Sequence, residues 1–130
     1  MSDLDFLAVR GTSLADPSGR PVRLAGVGLG GWMNMENFIT GYPGNEQAIR
    51  RLMLDRMGRE AYDAFFEAFM TDFFDEADAA HLASLGLNSV RIPFNYRHFE
   101  DDAAPFELKP EGFALLDGVV DACARHGIYT

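Results

Sequence analysis

An arginine, an asparagine and a tyrosine gather at the end of a mostly apolar run, Asn88-Ser89-Val90-Arg91-Ile92-Pro93-Phe94-Asn95-Tyr96. In a strand alternate residues face opposite ways, so Val90, Ile92 and Phe94 share one face while Ser89, Arg91, Pro93 and Asn95 share the other. A guanidinium inside an apolar strand is costly unless an anion pairs with it. The chemistry open to Arg91 is therefore to hold a carboxylate, either as a structural ion pair or beside reacting atoms. Pro93 cannot donate to a ladder, so regular pairing should loosen there. A strand ending in these residues suits the mouth of an α/β active site.

Other reactive residue types are scattered. His98 follows that strand in a loop, where it either touches substrate or faces solvent. His81 lies on a helical pattern and His126 at a helix C-terminus, where partial positive charge suits the dipole. The three make no metal set, and no Ser/His/Asp or Cys/His arrangement is supported. Cys123 sits among Val119, Val120 and Ala122 as a small core residue, and a lone cysteine forms no internal disulfide. Gly26-Val27-Gly28-Leu29-Gly30-Gly31 fits the dinucleotide pattern G-x-G-x-x-G. That pattern needs a helix to begin within the glycines, and Trp32 to Gly44 reads as loop, so nucleotide binding is only an alternative.

The elements that must position these residues follow from periodicity. Residues 6–24 read as a hairpin, with Phe6–Gly11 and Val22–Leu24 flanking the turn Asp16-Pro17-Ser18-Gly19. Arg23–Leu29 reads as the first core strand and residues 33–46 as an irregular loop. A helical region runs from about Glu46 to Leu85, broken near Gly58 and Thr71, with a buried stripe of Phe65, Phe66, Phe69, Met70, Phe73, Phe74 and Ala77. Asn88–Phe94 is the second strand. Glu100, Asp101 and Asp102 read as a solvated acidic turn, and a helix spans Pro110–Arg125 with Phe113, Leu116, Val120 and Cys123 on one face. Ile128-Tyr129-Thr130 begins a third strand. Strand, helix, strand, helix, strand implies right-handed crossovers and a parallel sheet. Such a sheet expects cover on both faces or closure into a barrel, so this α/β fold reads as incomplete.

The 130 residues suggest one domain, and 48% hydrophobic content suffices for a core. Twenty acidic against eleven basic residues, a net charge of -9, argue against nucleic-acid or anionic-membrane partners. The N-terminus Met1-Ser2-Asp3-Leu4-Asp5-Phe6 lacks the basic start and apolar run of a secretory signal, which makes the cytoplasm the default expectation.

Two segments carry a family resemblance. Pro21-Val22-Arg23-Leu24-Ala25-Gly26-Val27-Gly28-Leu29-Gly30-Gly31-Trp32 resembles the first barrel strand of glycoside hydrolase family 5, most of all its exo-β-glucanase and cellulase-like members. Leu85–Tyr96 resembles the second strand. The resemblance implies the N-terminal part of a (β/α)8 TIM barrel that cleaves O-glycosidic bonds with retention, a carbohydrate substrate and no cofactor. The family's two catalytic glutamates lie at the fourth and seventh strand ends, beyond Thr130, and a barrel needs about 250 residues. The chain alone is therefore expected to be inactive. Arg91 matches the arginine that supports the nucleophile, and Glu36 a glutamate that contacts the bound sugar. Tyr96 matches a tyrosine beyond the second strand, and Trp32 either stacks on a sugar ring or packs in the core. Trp32-Met33-Asn34-Met35-Glu36 departs from the family's Trp-Leu-Val-Leu-Glu, and Arg97-His98 replaces a more apolar pair. The alternative of another class is a non-catalytic half-barrel that binds a partner or self-associates through its open sheet.

Overall fold

The computed structural model describes residues 4–130; the start of the stretch read above for targeting, Met1–Asp3, lies outside them. The N-terminal segment is a three-stranded antiparallel meander, β1 (Ala8–Arg10), β2 (Ser13–Ala15) and β3 (Pro21–Val22). This corrects the simple hairpin. The two expected arms do not pair with each other, because Ser13-Leu14-Ala15 inserts between them, with Leu14 opposite both Val9 and Val22. The expected turn is real: Asp16 accepts from the Ser18 hydroxyl at 2.6 Å and from the Arg20 backbone N–H at 3.0 Å.

The second sheet positions the site. β4 (Gly26–Gly28) and β5 (Ser89–Arg91) run parallel, in the register Gly26–Ser89, Val27–Val90, Gly28–Arg91. Asn88 sets that register: its side chain accepts from Ala25 N–H at 2.8 Å and donates to the Arg23 carbonyl at 3.0 Å. Both strands are shorter than expected. The ladder stops at Arg91, two residues before Pro93, which has no N–H to continue it. A third parallel strand is started by the bridge of Tyr129 to Ser89, where Val90 N–H donates to the Tyr129 carbonyl at 2.8 Å.

Helices cover one face of this sheet. A short α1 (Asn37–Thr40) interrupts the loop after β4, followed by α2 (Glu46–Met57), α3 (Arg59–Asp72) and α4 (Glu76–Ser84). Gly58, at φ 80°, separates α2 from α3 in a backbone conformation that side chains other than hydrogen disfavour. Asp75 opens α4 with a capping box, accepting from Ala77 and Asp78 N–H while Asp78 accepts from its own. α5 (Pro110–Arg125) returns after β5, its first turn started by Pro110.

The core lies between helices and sheet and includes Trp32, Met33, Phe74, Ala79, Val90, Phe99, Val119, Ala122, Cys123 and Ile128. Of the expected stripe, Phe66 and Phe74 are buried, but Phe65 is 40% exposed and Ala77 faces solvent. The break at residues 73–75 resets the helical phase, so Ala79 takes the inward position on α4. Among the described residues, no helix is long and apolar enough to cross a membrane.

Candidate active site

The register decides where Arg91 points. Val90, 3% exposed, faces the helices, so Ser89 and Arg91 face the other way, with Gly26 and Gly28 beside them. A Cβ on Gly28 would stand 3.9 Å from Arg91 Nη1, which puts the guanidinium over the glycine. Gly26 allows a closer approach still, since a Cβ there would sit 1.7 Å from the Ser89 carbonyl oxygen. These residues line an open cavity of about 540 Å³ on the helix-free face of the sheet. Among the described residues no carboxylate pairs with Arg91. Arg91 is exposed on this face, so solvent meets its charge here and the open cavity leaves room for an anion beside it.

A second, polar cavity of about 490 Å³ opens beyond the C-terminal ends of β4 and β5, where parallel α/β folds place their ligands. Glu36, Asn34 and Met35 border it from the loop after β4, Asn95 and Arg97 from the segment after β5, and Glu46 from the start of α2. Two features hold Glu36 there. It precedes α1, whose Ile39 and Thr40 N–H groups donate to its carbonyl at 3.0 Å. Gly30 leaves it room, since a Cβ on Gly30 would come within 3.1 Å of Glu36 Oε2. The Asn95 N–H donates to the Met33 carbonyl at 2.8 Å and so stitches the two loops together.

Beneath this cavity lies a charged cluster that sequence reasoning missed. Glu46 is 6% exposed, and its Oε1 accepts from Arg50 Nε at 2.7 Å. Arg97 Nε lies 3.8 Å from the same oxygen, and Oε2 accepts the Met35 N–H at 3.3 Å. Arg50 in turn sits 4.0 Å over the Phe66 ring. The available signal was Asn45 as an N-cap, with Glu46 and Arg50 four residues apart on α2. What sequence could not supply was the tertiary reach to Met35 and Arg97.

The remaining candidates separate from Glu36. Trp32 is corrected to core: it is 1% exposed, its ring stacks with Phe73 at 6.3 Å, and its N–H donates to the Met70 carbonyl at 3.0 Å. No face of that ring is open to a sugar. His98 is corrected from a loop contact to an inward group. Its Nε2 is buried, and burial first, then the Arg50 charge, holds its pKa below the usual imidazole value. Tyr96 is 56% exposed but donates to Asp102 at 2.8 Å, an acceptor that pushes its phenol pKa upward. It lines a separate apolar hollow with Phe94, Phe99, Leu108, Phe113 and Leu116, because odd and even residues of 94–97 turn to opposite sides. The acidic turn is engaged too, since Asp101 pairs with Lys109 at 3.2 Å. The glycines of the dinucleotide pattern lead into no helix until Asn37, so the anion-binding helix end is missing.

No family model matches the chain. A beta-xylosidase of Phanerodontia chrysosporium is 60% identical over 125 residues, covering 96% of this chain and 26% of that protein. A glucan 1,3-beta-glucosidase of Candida oleophila is 29% identical over 121 residues, covering 82% and 27% respectively. The chain thus spans about a quarter of the length of these curated relatives. A crystal structure of endogalactoceramidase superposes with a TM-score of 0.63 at 20% identity, over 98% of this chain and 22% of that one, a likeness of fold. The two sequence blocks, the parallel β4–β5 pair with helices on one face, and these relatives agree: the chain belongs with the N-terminal portion of the glycoside hydrolase family 5 type and folds as part of a (β/α)8 barrel.

Proposed function

We propose that the protein to which this segment belongs cleaves β-glycosidic bonds with retention, acting on β-glucans or β-glucosides. One observation carries the reading: 60% identity over 125 residues with a protein named beta-xylosidase. Relatives named glucan 1,3-beta-glucosidase support the same bond class.

In a retaining mechanism one carboxylic acid protonates the leaving oxygen and a carboxylate roughly 5 Å away attacks the anomeric carbon. Arg91 suits the support of that carboxylate. A fixed positive charge favours the ionised form, lowers its pKa and orients it for attack. Glu36 suits the sugar, since a carboxylate accepts two hydroxyl hydrogen bonds from one pyranose, and Asn95 and Arg97 border the same cavity. The 130 residues alone should hydrolyse nothing, because the resemblance places both catalytic glutamates later in the fold.

The test is expression of the complete protein and assay on aryl β-glucosides, aryl β-xylosides and a soluble β-1,3-glucan, with proton NMR to read the first-formed anomer. Retained configuration is expected. Arg91→Ala should lower kcat roughly a hundredfold, as loss of one preorganised electrostatic group does, with a smaller change in KM. Turnover equal to the parent would remove Arg91 from the mechanism.

A further inference from the structure

The cluster under the polar cavity has more donors than acceptors. Arg50 Nη2 and Arg97 Nε are buried without an acceptor in bonding range, and Glu46 is the buried acid between them. That carboxylate touches three separate parts of the chain. It accepts from the backbone of Met35, next to Glu36, at 3.3 Å, and from Arg50 on its own helix at 2.7 Å. Its third neighbour is Arg97 at 3.8 Å, across the cavity from Glu36. Arg50 is fixed from behind by the Phe66 ring at 4.0 Å and by the Tyr62 hydroxyl at 3.4 Å. The anchor is therefore a helix, while Met35 and Arg97 lie apart from it, on the loop after β4 and on a single 3-10 turn, Tyr96–His98, after β5.

We propose that Glu46 is a positioning residue, tying the loop that carries Glu36 to the loop that carries Asn95 and Arg97 and so setting the width of the sugar cleft; this rests on the glycosidase reading above. The charge does this, not the shape. A glutamine at 46 has a single acceptor oxygen; kept by Arg50, it turns an NH2 toward the Met35 N–H and loses that contact, and it leaves two guanidiniums without a counter-charge. Arg97, 34% exposed at its side chain, then swings toward solvent and releases its loop.

The experiment compares the complete protein with its Glu46→Gln and Arg97→Gln variants. Steady-state kinetics on p-nitrophenyl β-D-glucopyranoside and its xyloside are read beside amide deuterium uptake. Glu46→Gln should raise KM about tenfold, the scale of one lost charge-assisted hydrogen bond, and leave kcat within about twofold. Uptake should rise together in residues 33–36 and 95–98. Arg97→Gln, which removes only the more exposed end of the tie, should raise uptake in 95–98 and leave 33–36 unchanged. The double variant should add little to Glu46→Gln, as coupled sites do.

A folded Glu46→Gln protein with parental KM, or with uptake raised in only one of the two loops, overturns the proposal. So does an Arg97→Gln protein with parental uptake in 95–98. A complete protein that cleaves no β-glycoside overturns the glycosidase reading instead, and the uptake data then decide by themselves whether Glu46 joins the loops.

Discussion

His98 illustrates how a residue expected at the surface becomes a stability determinant. Its ring lies in the Glu46–Arg50–Arg97 cluster, where burial and then the neighbouring Arg50 disfavour the imidazolium. The folded state therefore keeps His98 neutral, while the unfolded chain takes a proton at the ordinary value of 6.5. The contribution of His98 is fully present above that pH and is lost as pH falls through it toward the lower folded value. His98→Gln should flatten the acid limb of a stability–pH curve as pH falls below about 6.5. Urea melts across that range check it, and an unchanged slope would place the ring elsewhere. The sequence could not signal this, because a histidine two residues beyond Tyr96 reads the same whether its ring turns in or out. Arg91 was more legible: period-two alternation gave its face, and Gly28 opposite it gave the space.

At the scale of elements, α5 offers a paired test of packing against propensity. Gly112 and Gly118 both interrupt this helix, and each alone would be a candidate for replacement by alanine. A Cβ on Gly112 would stand 2.0 Å from the His98 carbonyl oxygen, whereas one on Gly118 meets nothing within 4 Å. Gly118→Ala should thus stabilise by about 0.5–1 kcal/mol, the intrinsic helix preference. Gly112→Ala should destabilise despite the same preference, because backbone on both sides must shift, at a cost of about 1–3 kcal/mol. Thermal melts of the two variants should move in opposite directions. Asp75→Ala removes the acceptor that caps α4 and should cost about 1 kcal/mol by the same measurement. The long helices were legible through their stripes, caps and glycine breaks. β2 was not, since Ser13-Leu14-Ala15 is too short for periodicity to register and forms only because both neighbours pair with it.

For the molecule as a whole, exposed area is the informative quantity. The surface is 8732 Å² for 14.4 kDa, whereas about 6,800 Å² is typical of a folded monomer of that mass. Part of the excess is apolar, including Leu24 at 41% beside Gly26 on the open sheet face and Phe94 at 56% in its separate hollow. The 130-residue chain expressed alone is therefore expected to bind a hydrophobic dye and to self-associate through its open sheet face. Sedimentation velocity at several concentrations reads this, and a concentration-independent monomer with no dye response would oppose it. The parallel order and the uncovered face could be read from strand–helix alternation. The distribution of the polar groups between two cavities could not, because it depends on how residues 94–97 turn after the ladder ends.

The burial of Trp32 has a practical corollary. It is the chain's one tryptophan, and its indole is sealed from water between the loop after β4 and α3. Its emission should be blue-shifted and shielded from iodide quenching while α3 stays seated. A red shift would then report departure of that helix from the sheet, giving a built-in optical gauge of the scaffold that needs no added label.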